Sequence, residues 1–374
     1  MKKTIVIFSG YYYPHLGGIE RYIDNLMKQF IKMNYDVVLV TSNYNDMDSL
    51  EKVNKNFTII RLPIFNIFKN RYPIVKNNKE TKKLISDLDN KKIVSIIVNT
   101  RFHLTSHVGI KYGNKHNIPV YLIEHGSNYV TLDNKFIDFF ANRYEDFLTM
   151  KIKKKVKGFY GVSNACGKWL KNFNIDASGT WYNAIDTEQK LPKRVKHDTI
   201  NFLYAGRLIK QKGVNNILDA FEKLEKKYSN IRLFIAGDGP ELESLKGKYD
   251  SDNIIFLGKL SFDELTKYYA KTDVFLYPPL WPEGLPTSIL EAGLMGCAVI
   301  GTDQGGICEV ITNNKNGLIV NTDVSSLYKA MEELTSNEDK RDKLASAIYD
   351  TVMNKFSFEV TAKKILKDIG ETNE

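Results

Sequence analysis

Short apolar runs alternate with stretches of helical spacing along almost the whole chain, and the alternation breaks once. Residues 4–9, 37–41, 57–62, 93–99, 120–124, 158–162 and 180–182 read as strands. Residues 19–33, 79–88 and 107–116 read as helices, the first with Ile19, Tyr22, Ile23, Leu26 and Phe30 on one face. A polar stretch at 187–199 containing Pro192 lacks any period. The alternation then resumes, with strands at 201–204, 232–236, 254–257, 274–277, 299–301 and 317–320. Helices are expected at 213–226, 241–249, 262–270 and 286–294, then near 324–335, 339–354 and 358–369. Strands separated by helices predict an α/β chain with doubly wound parallel sheets. Single cores stop growing near about 250–300 residues, so 374 residues predict two domains. The expected division is 1–186, a linker at 187–199, 200–355, and a C-terminal helix at 356–374 that packs back on the first domain.

Composition removes several classes. Apolar residues make up 43% and charged residues 26%, which excludes a disordered or coiled-coil chain. Cys166, Cys297 and Cys308 show no CxxC spacing, so neither a disulfide framework nor a structural zinc site is expected, and a reducing cytoplasm fits. No apolar run approaches the roughly 20 residues of a membrane helix. Lys2-Lys3 followed by 4–8 has too short an apolar core for a signal peptide and reads as the first strand. The net charge of +9 is uneven: residues 1–186 carry +12 and residues 187–374 carry −3. That asymmetry points to an anionic partner for the first half, with a lysine-rich solvated surface as the plain alternative.

Three segments carry chemistry, each just after an expected strand, where ligands of doubly wound sheets bind. Gly17-Gly18-Ile19-Glu20-Arg21 opens the first helix, and glycines there let backbone approach a ligand. It contains no GxGxxG, which weakens a dinucleotide reading. Residues 205–213 place Arg207 and Lys212 around a turn into a helix; two cations beside a helix N-terminus suit a diphosphate. The alternative is two exposed basic residues on a loop. Residues 282–291 place Pro286 in the first turn of a helix, with Thr287 and Ser288 offering N–H groups. Glu291 lies over a turn further in and suits a ribose diol, and Glu283 precedes the helix, where it suits a sugar hydroxyl. Favourable charge at a helix start and a solvated helix face are the alternatives for these glutamates.

With these residues in place, the chain resembles the retaining glycosyltransferases of family four, whose GT-B fold consists of two Rossmann-like domains facing a central cleft. The second half carries, in order, Gly206-Arg207-Leu208 with Lys212-Gly213, Ile235-Ala236-Gly237-Asp238-Gly239-Pro240, Phe256-Leu257-Gly258, the Glu283/Glu291 pair, and Gly305-Gly306 with Glu309. The first half supplies Gly17–Glu20, Glu124-His125-Gly126, Val162-Ser163-Asn164 and Asn183-Ala184-Ile185-Asp186. The resemblance implies a nucleotide diphosphate sugar as donor and no cofactor or metal. It implies Arg207 and Lys212 at the donor diphosphate, Glu291 at the ribose and Glu283 at the donor sugar. It further implies Leu257, Gly258 and Lys259 at the base, and Gly239, Gly284, Leu285, Pro286 and Thr287 in the donor pocket. Gly17 and Gly18 would approach the diphosphate from the first domain, and His125 would lie near the transferred sugar. Glu20, Arg21, Arg61, His125 and Asn183 are expected on the acceptor side. Ala184 stands where the family often has glycine, and Pro279-Leu280-Trp281-Pro282 makes the run before Glu283 unusual.

The implied reaction moves a sugar to a hydroxyl with retained anomeric configuration, by front-face attack in which a donor phosphate oxygen takes the acceptor proton. The expected acceptor is a glycan or lipid-diphosphate-linked glycan in bacterial surface polysaccharide, capsule or cell-wall synthesis. Asp46/Asp48, Asp87/Asp89 and Asp250/Asp252 match Asp-x-Asp but follow no strand directly, which argues against metal sites. Residues 61–72 mix Arg61, Lys69 and Arg71 with Phe65, Phe68 and Tyr72. Residues 136–157 combine Phe136, Ile137, Phe139, Phe140, Phe147 and Leu148 with lysines 151, 153, 154, 155 and 157. The latter reads as a basic amphipathic helix on the inner face of an anionic membrane, or as a core helix with a solvated lysine end. No nucleic-acid motif is present. A degenerate nucleotide-sugar-binding or scaffolding protein, and an epimerase or phosphorylase of the same fold, are the competing readings.

Overall fold

A computed structural model describes residues 1–15, 17–67, 72–129 and 135–371. The chain divides into two compact units, Met1–Tyr182 with Thr361–Glu374, and Asn183–Val360. Residues 183–186 and the aperiodic stretch 187–199 both belong to the second unit.

The first unit contains β1 (Lys3–Phe8), α1 (Gly18–Lys32), β2 (Asp36–Asn43), β3 (Leu50–Asn54), β4 (Phe57–Ile67), β5 (Tyr72–Val75) and α2 (Lys79–Ser86). It continues with β6 (Lys92–Asn99), α3 (Leu104–Lys115), β7 (Val120–Glu124), α4 (Lys135–Ile152), β8 (Gly158–Gly161), α5 (Asn164–Trp169) and β9 (Gly179–Thr180). The sheet order is β3-β4-β2-β1-β6-β7-β8-β9, with β5 on β4. β1 pairs in parallel with β2 and β6, so the chain winds away from β1 first one way and then the other. Residues 5–8 of β1 are buried on both faces, as in a parallel sheet covered by helices on each side. Val6, Phe8, Val38, Ile96 and Leu122 pack with Leu84 and Ile110 in one core.

β3 and β5 are additions to the sequence reading, and both pair antiparallel with β4. β3 is nearly all exposed, with its two apolar residues Leu50 and Val53 three apart, and β5 contains Pro73, so neither carries an apolar alternation. The helix expected over 136–157 ends at Ile152, so Lys153, Lys154, Lys155 and Lys157 lie on the connection to β8. Its inner stripe is Glu145, Leu148, Thr149 and Ile152, all buried, while Phe139, Phe140, Phe147 and Met150 are each more than half exposed. Phe68, Lys69 and Arg71 of the basic-aromatic segment lie outside the described residues.

The second unit contains β10 (Ile200–Ala205), α6 (Val214–Glu225), β11 (Ile231–Ala236), α7 (Leu242–Lys248), β12 (Ile254–Gly258), α8 (Phe262–Tyr269) and β13 (Val274–Tyr277). Then come α9 (Thr287–Leu294), β14 (Ala298–Thr302), β15 (Leu318–Val320), α10 (Val324–Ser336), α11 (Glu338–Lys355) and α12 (Phe358–Asp368), within which the chain returns to the first unit. Six parallel strands run β12-β11-β10-β13-β14-β15. This is the dinucleotide-fold order, with its reversal between β10 and β13. Phe202, Tyr204, Leu233, Ile235, Val274 and Ile300 pack with Ile217, Phe221 and Leu327 as the core.

Candidate active site

In the second unit the chemistry gathers where the strand order reverses. β10 ends at Ala205 and opens into the loop that carries Arg207 and Lys212. Gly213 adopts φ +72° to turn this loop into α6, and a Cβ there would overlap the Pro278 carbonyl. Lys212 Nζ donates to Glu283 Oε1 at 2.6 Å and to the Tyr277 hydroxyl at 2.9 Å. Tyr277 is the last residue of β13, so the contact spans the reversal. Burial and the Glu283 charge raise the Tyr277 hydroxyl far above its ordinary range, so it stays protonated and accepts from the ammonium. Arg207 is exposed, and its guanidinium has no ion-pair partner among the described residues.

The backbone of Glu283 is clamped separately. Gly306 N–H donates to the Glu283 carbonyl at 3.0 Å, and Gly305 bridges to Glu283. Gly305 has φ +67°, and any Cβ would collide with the Glu283 main chain. Asn183 Nδ2 donates to the Leu285 carbonyl at 3.0 Å, which holds the same loop. Pro286 is the N-cap of α9 and not its first residue: its ψ of 121° is extended, and the helix begins at Thr287. No side chain caps this terminus, so its first N–H groups stay available. Glu291, one turn in, accepts from the buried Tyr269 hydroxyl at 3.1 Å.

Gly239, Leu257, Gly258 and Lys259 come from the ends of the neighbouring strands. Gly239 lies so close to the Leu208 carbonyl that no side chain fits. Gly258 ends β12 with φ +67° and open space around it, and its carbonyl accepts from Gly237 N–H at 2.8 Å. Lys259 is exposed and Leu257 half-buried.

The first unit repeats the logic. β1 and β6 flank its strand-order reversal. Asn99 ends β6; its Nδ2 donates to the Phe8 carbonyl at 3.1 Å, which turns Oδ1 toward His125 Nε2 at 2.8 Å. The imidazole therefore carries its proton on Nε2 and presents Nδ1 as an acceptor. Burial and the nearby His103 push His125 down to about 3, so it is neutral at pH 7. Below it, buried Arg101 bridges Glu124 at 2.9 Å and Glu145 at 3.0 Å, and Glu124 also accepts from Gly126 N–H at 3.1 Å. This pins both sides of His125.

A family model described as Glycosyl transferases group 1 matches residues 186–351, and one described as Glycosyltransferase Family 4 matches residues 16–189. The chain belongs to the group 1, family 4 glycosyltransferases. It is 27% identical to an uncharacterised glycosyltransferase of Methanocaldococcus jannaschii, over 98% of each chain. It is 22% identical to the phosphatidylinositol N-acetylglucosaminyltransferase GPI3 subunit of Saccharomyces cerevisiae, over 98% of this chain and 82% of that one. Among solved structures, the sucrose-phosphate synthase of Thermosynechococcus elongatus superposes with a TM-score of 0.78 at 18% identity, covering 99% of this chain and 98% of the other. Anabaena HepE in complex with UDP-glucose gives 0.70 at 15% identity over 100% of both. These likenesses place the glycosyltransferase in the GT-B fold.

The remaining residues singled out in the glycosyltransferase sequence are distributed unevenly. Gly17 is the N-cap of α1, which has no side-chain cap, and a Cβ on Gly18 would meet nothing within 4 Å. Arg21 is exposed and unpaired among the described residues. Glu20 is buried against Gly17 and pairs with His15 at 3.2 Å. Arg61 is buried and committed to Glu51 at 2.7 Å and the Asp48 carbonyl at 3.2 Å, so its guanidinium is engaged within its own unit. Tyr277, Tyr269, Asn99 and Arg101 were missed in the sequence; Tyr277 and Asn99 each end a strand beside a reversal, which is the signal that could have found them. Among the described residues, no group of three or more His, Cys, Asp and Glu side chains is arranged to hold a metal ion.

Proposed function

We propose that the glycosyltransferase moves a sugar from a nucleotide diphosphate sugar to a hydroxyl of a glycan or lipid-linked glycan, with retained configuration and without a metal. The observation that carries this reading is the Lys212–Glu283–Tyr277 cluster at the β10/β13 reversal, beside unpaired Arg207. Arg207, Lys212 and the uncapped first turn of α9 are fixed positive groups for the charge that builds on the departing diphosphate. The bond from the anomeric carbon to the diphosphate oxygen breaks, and its electron pair leaves with the nucleotide. The acceptor oxygen bonds the same face, and its proton passes to the diphosphate. Glu283 takes a hydroxyl of the donor sugar, Glu291 the ribose diol, and neutral His125 accepts from a sugar hydroxyl through Nδ1. Gly239, Leu257, Gly258 and Lys259 line the base, while Gly17 and Gly18 face the diphosphate.

The acceptor reading draws on the yeast relative, whose name gives phosphatidylinositol as the group glycosylated, and on α4. The outer face of α4 offers exposed Phe139, Phe140, Phe147 and Met150 beside Lys151, with further lysines just past the helix end. Apolar side chains next to a run of cations match an anionic bilayer surface. Among the described residues no helix is long and apolar enough to cross a membrane, so the association proposed is peripheral.

Thermal unfolding with UDP, GDP, ADP and CMP, in EDTA, tests the donor site. UDP comes first because HepE was solved with it. A nucleotide at 100 times its Kd adds about 2.7 kcal/mol; no shift with any of them, while turnover is also absent, refutes the reading. Flotation with phosphatidylglycerol vesicles at low salt tests the membrane face, and no binding removes it.

A further inference from the structure

A trench of about 550 Å³ runs between α2 and α3 in the first unit. The glycosyltransferase reading gives it no role. Its wall on α3 is built from two rows spaced four residues apart. Leu104, Val108 and Tyr112 form an apolar row, and His107, Lys111 and Lys115 form a basic row beside it. The rows extend over twelve helical residues, about 18 Å. Across the trench, Ile85 continues the apolar floor, while Lys82 and Lys76 add cations to the rim.

Among the described residues, most of the positive charge of this trench is uncompensated. Lys82, Lys111 and Lys115 have no ion-pair partner among the described residues, and Lys76 rests over the Phe65 ring at 5.0 Å. The acidic member, Asp89, is held by the Tyr112 hydroxyl at 2.9 Å and lies near His116 at 3.7 Å. The basic surface continues onto the end of α4 and the connection after it, because Lys151 and Lys155 stand close enough to His107 for their charge to oppose its protonation. At the other end, Leu104 follows Asn99, which holds His125, by five residues.

We propose that this trench binds a lipid phosphate, with the hydrocarbon chain along the Leu104–Val108–Tyr112 row and the phosphate against Lys82 and Lys111. An apolar row alone would take any hydrocarbon, and a lysine row alone would take any anion. Two adjacent rows on one helix face select a molecule that has both parts joined. A bilayer phospholipid and the phosphate of a polyprenyl-linked acceptor share that chemistry. The inference deepens the lipid-acceptor reading and rests on it for its biological meaning, although its test needs no transfer.

Calorimetric titration of the full chain with decyl phosphate below its micelle concentration, without nucleotide, is the direct measurement. One-to-one binding at least about tenfold tighter than to decanol or inorganic phosphate is expected, since each half supplies only part of the contacts. Lys82→Ala/Lys111→Ala should weaken it by about tenfold or more, because two charge-assisted contacts are lost. Val108→Glu should abolish it by charging the apolar row, and a thermal melt checks that each variant is folded. Inorganic phosphate binding as tightly as decyl phosphate, or a double variant indistinguishable from the parent, overturns the proposal. The source is separated by flotation on two vesicle types, phosphatidylglycerol in phosphatidylcholine and polyprenyl phosphate in phosphatidylcholine. Loss in the double variant on the first alone assigns the bilayer headgroup, and on the second alone the acceptor lipid. A protein that binds decyl phosphate but no nucleotide would fail the transferase reading and leave this one standing.

Discussion

Lys212→Met removes the cation in contact with both Glu283 and Tyr277 while keeping most of the unbranched side chain. In the resting chain the ammonium lies 2.6 Å from Glu283, with 17% and 23% of the two side chains exposed. At an effective dielectric of about 20, unit charges about 4 Å apart attract by roughly 4 kcal/mol. Desolvation and residual water contact offset most of that, leaving about 1 kcal/mol of net stability. For a unit of this size that corresponds to about 2–4 °C in Tm. Catalysis should lose far more. A single pre-placed donor at a developing anion contributes about 2.7–4 kcal/mol, or roughly 100- to 1,000-fold in kcat. The assay is nucleotide release coupled to product formation, run beside a thermal melt of the same preparation. The expected pattern is a small fall in Tm with a large fall in kcat/KM. A kcat/KM within about threefold of the parent would refute the placement of Lys212 at the leaving group. A Tm loss several times larger than expected, with activity recovered on cooling, would make the residue structural.

Glu283→Gln should separate binding from turnover: it frees Lys212, so UDP alone should bind as tightly or tighter, while transfer falls by roughly 100-fold; titration calorimetry and turnover together check this. Two histidines set an acid limit. His125 and His103 are pushed down to about 3 and about 4 by burial, so the unfolded chain takes up protons first as pH falls. Their contribution is intact above about pH 6.5 and is lost toward pH 3–4, at about 1.4 kcal/mol per pH unit for each group. The Tm of His125→Asn should therefore drop less than that of the parent between pH 7 and pH 4.5, and equal drops would refute this account. Gly305→Ala forces a side chain into the Glu283 backbone at a positive φ; destabilisation of about 1–3 kcal/mol is expected in denaturant melts, and an unchanged midpoint would refute the clamp.

Local residue pattern was enough to read the element types and the doubly wound class. Residues 5–8, 96–98 and 233–235 are apolar over a strand's length, and a strand covered on both faces is the element that buries such a run. It was also enough to single out Arg207, Lys212 and Glu283, because each follows a strand in a glycine- or proline-marked turn, where ligands of doubly wound sheets bind, and Glu291 one turn into the helix that follows. Hidden were elements without a period: β3, almost wholly exposed, and β5, marked by Pro73. The outward face of α4 was hidden too, since amphipathic spacing does not say which face meets the core. The partners of the chemical residues were equally unreadable. Lys212 meets Glu283 across 71 residues, and Asn99 meets His125 across 26. Arg61, whose charge suggested a side chain open to an acceptor, is instead sealed against Glu51.

Sequence by itself determined the local terms of this protein: which segments extend or coil, where glycine permits a turn, and which charged groups stand at strand ends. Those depend on neighbours within a few positions, and hydrophobic period and φ preference report them directly. Tertiary structure alone decided which strand ends are adjacent, and therefore which cation is neutralised and which stays free. Lys212 and Arg207 sit five residues apart with the same formal charge. Only the parallel pairing of β10 with β13 brings Tyr277 and Glu283 to the first and leaves the second unpaired among the described residues.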